Sequence, residues 1–299
     1  MSRTPTNGFP MSTPVARSAR RRPDPDTATP IPILLYHSVS TDPPRWIAPF
    51  AVTPAVFARQ VDSIVGSGRN AITVSQLCAA LAGQSPMPPR PVVITFDDGF
   101  ADFADAAAVL AQHHIPSTLY VTTGALRGSG PRSPELAIPP APMLDWSQLV
   151  ELESSNVEIG AHTHTHRQLD AMPTKEVADE LRRSKHMLED ELGHQVQSFA
   201  YPHGFNCRRI RRVVATVGHT SACAVMDALS SPRDEPFSLA RLTVRATTTP
   251  HQLAAWLDGR GARVAPYRER LRTKAFRMYR RARGPRSARG VIDLSANPD

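Results

Sequence analysis

Apolar runs and amphipathic stretches alternate along this chain from Ile33 to Leu257, and that alternation limits the fold more than any other feature. Ile33-Leu34-Leu35-Tyr36 reads as a buried strand. Thr53-Pro54 then offers an N-cap and a proline at the first helical position, ahead of Phe57, Val61, Ile64 and Val65 at helical spacing. A short strand over 72–74 precedes a helix capped by Ser75, and the apolar run 92–96 precedes a helix over 102–113. Strands over 117–122, 157–161, 197–200 and 221–225 follow, with helices over 146–153, 174–192, 206–217 and around 253–257. The helix over 174–192 has the fullest pattern: Thr174 can cap it, Val177, Leu181, Leu188 and Leu192 share a face, and Gly193 stands where a left-handed residue ends a helix. Strand and helix repeated in this way predict an α/β fold with parallel strands and helical crossovers, either doubly wound or closed into a barrel. The stretch 124–142, rich in Gly, Pro and Ser, reads as a long surface loop.

Charge divides the chain into three. Residues 31–259 carry eighteen basic and twenty-two acidic side chains, whereas 260–290 carry twelve basic and one acidic, so the formal +8 belongs to the ends. Residues 1–30, rich in Pro, Ser, Thr and Arg, have too few apolar positions to offset the entropy of ordering and read as a disordered tail. The expected domains are therefore 1–30 as tail, 31–259 as the folded α/β domain and 260–299 as basic tail. Cys78, Cys207 and Cys223 suggest neither a disulfide framework nor a CxxC metal site. No apolar run reaches the roughly 18 residues of a membrane span, and the arginines at 17–22 are not followed by the apolar core of a secretory signal. The expected location is cytoplasmic, peripheral at a membrane if the basic tail attaches there.

Three polar clusters follow predicted strands, at the edge where parallel α/β folds place their sites. They are Asp97-Asp98-Gly99, His162-Thr163-His164-Thr165-His166 and Tyr201-Pro202-His203-Gly204. Two adjacent carboxylates in a dry place repel unless a cation holds one of them; in a wet one they are ordinary loop acids. Histidines at i, i+2 and i+4 can present two imidazoles on one side in either an extended or a helical turn. Two imidazoles and one carboxylate make a zinc-type site with a position left open for water.

In this order, Thr95-Phe96-Asp97-Asp98-Gly99, the HTHTH run at 162–166 and Phe199-Ala200-Tyr201-Pro202-His203-Gly204 resemble the first three motifs of the NodB-homology polysaccharide deacetylases. The resemblance extends from about Ile33 to Val244 and includes the opening Leu-Tyr-His-Ser strand and Leu144-Asp145-Trp146. It implies a deformed (β/α) barrel of about seven parallel strands and metal-dependent removal of acetyl groups from N-acetylated sugars. Asp98, His162 and His166 then correspond to the metal ligands, Asp97 to the general base and the His203 backbone N–H to an oxyanion donor. His164 falls at a variable position. The metal implied is one divalent ion, zinc first, with cobalt, nickel or manganese as alternatives. Pro202 and Gly204 belong with the substrate-binding turn, and Tyr201 and Trp146 could form a sugar-stacking wall or be core residues.

Two departures accompany the resemblance. Ala200 stands where many relatives have an arginine that orients the base, and no Leu-x-His triplet follows Val225 to supply the acid. His37, at the end of the first strand, is the substitute acid. The expected partner is an N-acetylated glycan or glycan precursor, with an anionic membrane surface contacted through 260–290 and no nucleic acid. The alternatives are a deacetylase-like barrel that binds carbohydrate without hydrolysing it, a sugar O-acetyl esterase, and a metal-assisted hydrolase of a small non-sugar C–N bond.

Overall fold

A computed structural model of the protein describes residues 29–267. Strands β1 (Ile33–Tyr36), β4 (Asn70–Ala71), β5 (Pro91–Phe96), β6 (Ser117–Val121), β7 (Val157–Ala161), β8 (Ser198–Ala200), β9 (Ser221–Cys223) and β11 (Leu242–Thr243) form one parallel sheet. The order is β11-β1-β5-β6-β7-β8-β9, with β4 beside β5. Helices α1 (Pro54–Gly66), α2 (Val74–Leu81), α3 (Phe103–Gln112), α4 (Trp146–Glu153), α5 (Thr174–Leu192), α6 (Arg208–Val217) and α7 (Pro250–Leu257) cross over between them. Two small pairs complete it: β2 (Ser38–Val39) with β3 (Ala51–Val52), and β10 (Ala228–Leu229) with β12 (Arg263–Val264).

The seam between the outer strands is closed by one stretch of backbone. Ala222 N donates to Pro236 O (2.8 Å) and Ala224 N to Leu239 O (2.8 Å), while further along the same stretch Leu242 pairs Leu34 and Val244 N donates to Leu35 O (2.8 Å). Residues 236–244 therefore bond β9 with their first half and β1 with their second, completing the expected deformed barrel.

Strand parity sorts side chains into two layers. Val92, Ile94 and Phe96 join the main core between sheet and helices, as do Val157, Ile159, Ala161 and Phe199. Val93, Ile33, Tyr120, Ala200, Cys223 and Leu239 fill a second, interior cluster. Gly160 falls on the interior parity, and a Cβ there would lie 2.5 Å from the Tyr120 ring, so the barrel is filled to the point where one position must lack a side chain. Continuing each strand by its parity brings Asp97, His162 and Arg241 to the inside.

Local differences from the sequence reading have simple causes. Thr73, not Ser75, caps α2, in a reciprocal capping box with Gln76, so the strand before it ends at Ala71. Pro173 precedes α5 with no side-chain cap, and Thr174 is its first residue; Gly193 ends it at φ 74° as expected. The folded body also passes the expected boundary at 259. Beyond it β12 pairs β10, Ser231 Oγ donates to Ala265 O (2.6 Å) and the Tyr267 hydroxyl donates to Met226 O (2.8 Å). Residues 1–28 and 268–299, the rest of the two expected tails, lie outside the described residues. No described helix is long and apolar enough to cross a membrane.

Candidate active site

Both carboxylates of the β5 motif are buried, Asp97 at 3% exposure and Asp98 at 4%. Asp98 has φ 79° and is followed by Gly99 at φ 89°, so the chain turns left-handed as it leaves the strand, and Thr122 N ties Asp98 O at 3.2 Å. This turn places Asp98 Oδ1 facing two imidazoles, 3.5 Å from His162 Nε2 and 3.2 Å from His166 Nε2. Each of the three side chains offers one ligand atom within 4.8 Å of the others.

The histidines are presented by a braced loop. His162 Nδ1 lies 2.8 Å from Ala200 O and, facing a carbonyl, must donate, which leaves the Nε2 lone pair turned to Asp98. Glu180 of α5, itself 9% exposed, accepts from His164 N (3.0 Å), Thr165 N (2.8 Å) and Thr165 Oγ1 (2.7 Å). Thr163 and His166 are held at φ 67° and 59°, with His166 N donating to Thr163 Oγ1 at 2.9 Å. His164 turns away, to Thr123 Oγ1 at 2.9 Å.

The charge states follow from these contacts. Burial holds the His162 imidazole down at about 4, against the pull of Asp97. Burial would raise Asp98, but the facing His166 and His162 outweigh it and keep the carboxyl below the ordinary range. For Asp97 the same upward push of burial is overcome by Arg241, whose guanidinium reaches both carboxylate oxygens at 2.7 Å. Arg241 is fully buried; it also donates to Thr95 Oγ1 (3.2 Å) and Ala224 O (3.1 Å) and lies over the Tyr120 ring.

His37 and His203 complete the group. The His37 ring tilts against Phe50 at 5.3 Å, and its Nδ1 is enclosed with no hydrogen-bond partner. Burial pushes this imidazole below its usual value, with Asp98 and Asp97 pulling upward. His203 has φ 58° in the tight turn Pro202–Gly204, and its ring meets that of His166 at 4.8 Å.

The proposed sugar wall is not there in the form expected. The Tyr201 ring is fully buried, edge-on to Phe199, with its hydroxyl donating to Phe237 O (3.0 Å), because strand parity sends it into the main core. Pro202 is buried too, and Gly204 is required by packing, since a Cβ would lie 2.4 Å from Val225 N. Trp146 starts α4, packs on the core and donates from Nε1 to Ser129 Oγ (3.0 Å).

Two residues of the site went unnoticed in the sequence. Arg241 stands within the apolar stretch Leu239 to Val244, where a charge implies a buried partner, and Glu180 lies on the buried stripe of α5 beside Val177, Leu181 and Ser184. Arg241 also corrects the inference drawn from Ala200: the arginine that orients Asp97 is present, but it is delivered by the seam of the barrel.

Residues 84–222 match the family model described as polysaccharide deacetylase. Residues 84–222 belong to the polysaccharide deacetylase family. The match takes in Asp97, Asp98, His162, His166, Glu180 and His203, and leaves out His37 and Arg241, which flank it in the chain. The Bacillus subtilis (strain 168) protein YxkH, assigned to the polysaccharide deacetylases, is 20% identical over 229 residues, 76% of either chain. The Streptococcus pyogenes deacetylase PplD, solved in complex with acetate, shares the fold at a TM-score of 0.67 and 23% identity over 76% of this chain and 97% of its own. IcaB from Ammonifex degensii matches at a TM-score of 0.64 and 25% identity over 77% and 97%. The barrel is thus shared with these structures, and the arginine that grips Asp97 comes from residues 236–244.

Proposed function

We propose that the protein hydrolyses N-acetyl groups from an acetamido sugar in a glycan or glycan precursor, with one divalent metal ion, zinc first, held by Asp98, His162 and His166. The observation that carries this reading is the pairing of a ready ligand set with an oriented base. Asp98 Oδ1 is a buried carboxylate oxygen with no hydrogen-bond partner, faced by two Nε2 atoms, as a cation site requires. A divalent ion bound there supplies Lewis-acid polarisation of the acetyl carbonyl and lowers the pKa of water.

The chain's own groups supply the rest. Asp97, kept ionised and aimed by Arg241, accepts the proton of the attacking water; its Oδ2 faces the site, 3.8 Å from His162 Nε2. The backbone N–H of His203, in its left-handed turn, is the donor for the developing oxyanion, and a backbone donor needs no reorganisation as charge appears. His37 donates a proton to the departing amine, and the proton taken up by Asp97 passes through solvent to restore it, so the proton count closes over one turnover. A barrel that binds sugar without hydrolysing it had two supports, the missing arginine and the missing late Leu-x-His; Arg241 answers the first, and His37 is the candidate that answers the second. The acetate in the PplD structure is the product such a reaction releases.

The test is acetate release from N-acetylglucosamine oligomers together with metal content per purified chain. We expect about one divalent ion, lost in His166→Ala, and release abolished by chelation and by Asp97→Asn. A folded protein that takes up no ion under any loading condition would sink the reading. We also propose that the basic segment 260–290 attaches the protein to an anionic membrane surface at the cytoplasmic face. Because β12 and Tyr267 belong to the body, the informative truncation ends after Tyr267; equal sedimentation of both forms with anionic vesicles would refute attachment.

A further inference from the structure

Helix α6 stands apart from the body that carries it. Its ten residues include Arg208, Arg209, Arg211 and Arg212 and no acid, in a body where acidic side chains outnumber basic ones. Two of the four are engaged locally: Arg209 ties the start of α5 through Thr174 Oγ1 (3.0 Å) and Met172 O (3.0 Å), and Arg211 donates to Asn206 Oδ1 (2.7 Å) and meets Glu235 at 3.2 Å. Arg208 and Arg212, exposed and one turn apart on the same face, form no ion pair among the described residues.

These side chains line a surface cavity of about 250 Å³ together with Ala215, Glu235 and Phe237. Three guanidinium groups against one carboxylate leave it positive, and the N-terminal end of α6, with no acid in its first turn, adds to that field. The cavity adjoins the catalytic turn. Asn206 Nδ2 donates to Gly204 O (3.2 Å) while its Oδ1 accepts from Arg211, and the Tyr201 hydroxyl donates to Phe237 O (3.0 Å). The cavity wall and the His203 turn are thus linked through Asn206.

We propose that the cavity lined by Arg208, Arg211 and Arg212 is an anion subsite, holding a phosphate or carboxylate borne by the glycan outside the sugar that is deacetylated. The proposal rests on the deacetylase reading and adds the substrate's charge to it. Guanidinium forks match both anions, and the half-buried Phe237 offers an apolar side to a sugar ring.

The test compares binding of two probes to the full-length protein: a neutral N-acetylglucosamine hexamer and a hyaluronate hexasaccharide, in which alternate sugars carry a carboxylate. We expect the anionic probe to bind about tenfold more tightly at low salt, with the advantage shrinking as salt rises. Arg208→Gln combined with Arg212→Gln should abolish that preference while leaving neutral-hexamer binding and deacetylation, and the melting temperature, unchanged. Inorganic phosphate and glucuronate as competitors distinguish the two anions, the stronger naming the group. A parent protein with no preference, or a variant that keeps it, overturns the subsite. Loss of anionic-vesicle binding in the variant with no change in glycan preference reassigns the face to a membrane and overturns it as well. If neither hexamer is bound or deacetylated, the deacetylase reading falls with it; if the neutral hexamer is turned over without charge preference, only the subsite falls.

Discussion

Arg241 grips Asp97 with both arms of its guanidinium, 2.7 Å to each carboxylate oxygen, and both side chains are buried. Lysine in its place keeps the charge but not the fork, so one carboxylate oxygen loses its partner and the base can rotate. Arg241→Lys is expected to lower turnover by about a hundredfold, the scale of a small misplacement of a reacting group, with metal content unchanged. Arg241→Met strands a buried carboxylate and should cost about 3–5 kcal/mol of stability, read as a lowered melting temperature. Full turnover in the lysine variant would show that Asp97 needs no such grip.

Glu180 braces the loop that carries His162 and His166. Its carboxylate accepts three hydrogen bonds from residues 164 and 165, between the two histidines of the proposed metal site. Glu180→Gln introduces a donor among donors and should weaken metal affinity by roughly 10–100-fold, measured by chelator competition on the folded protein. Unchanged affinity would mean that the loop holds its shape unaided.

His37 lies near enough to Asp98 and Asp97 to feel their charge and stands outside the Asp98, His162 and His166 group. His37→Ala should lower acetate release by roughly a hundredfold or more, with metal affinity as in the parent. A variant at parental turnover would remove His37 as the acid.

What could be read from the sequence, and what could not, follows the range of the interactions. The apolar β5 run leading to Asp97-Asp98 and the helix ending at Gly193 are written in a few neighbouring residues, and so is the pair His162 and His166. Arg241 was invisible as a partner of Asp97 because a 144-residue separation joins them only after the barrel closes. Tyr201 stays open between sugar platform and core in the sequence for a related reason: only the parity of the folded strand turns it into the core. The β12 segment was taken for tail because its two residues are exposed and its anchoring comes from β10, far back in the chain.

A buried histidine elsewhere sets a pH dependence of stability. His219, 3% exposed against Phe199, is held by burial at about 3, below its ordinary 6.5, with Lys185 pushing the same way and Glu189 opposing. The unfolded chain binds this proton and the folded one does not, so the stabilisation is complete above pH 6.5 and is lost as pH falls toward 3. The slope contributed approaches 1.4 kcal/mol per pH unit at most. His219→Leu should flatten denaturant midpoints between pH 6 and pH 4 relative to the parent; curves that stay parallel would assign the acid sensitivity to other groups.

The seam formed by residues 236–244 has a consequence for how the protein is made. A nascent chain that has left the ribosome as far as β8 already carries Asp98, His162 and His166, yet Asp97 has no partner arginine, because Arg241 has not been synthesised. That grip forms only when the closing stretch inserts between β9 and β1. On the proposed reading, translation thus separates the moment at which the metal-site residues exist from the moment at which the base is aligned.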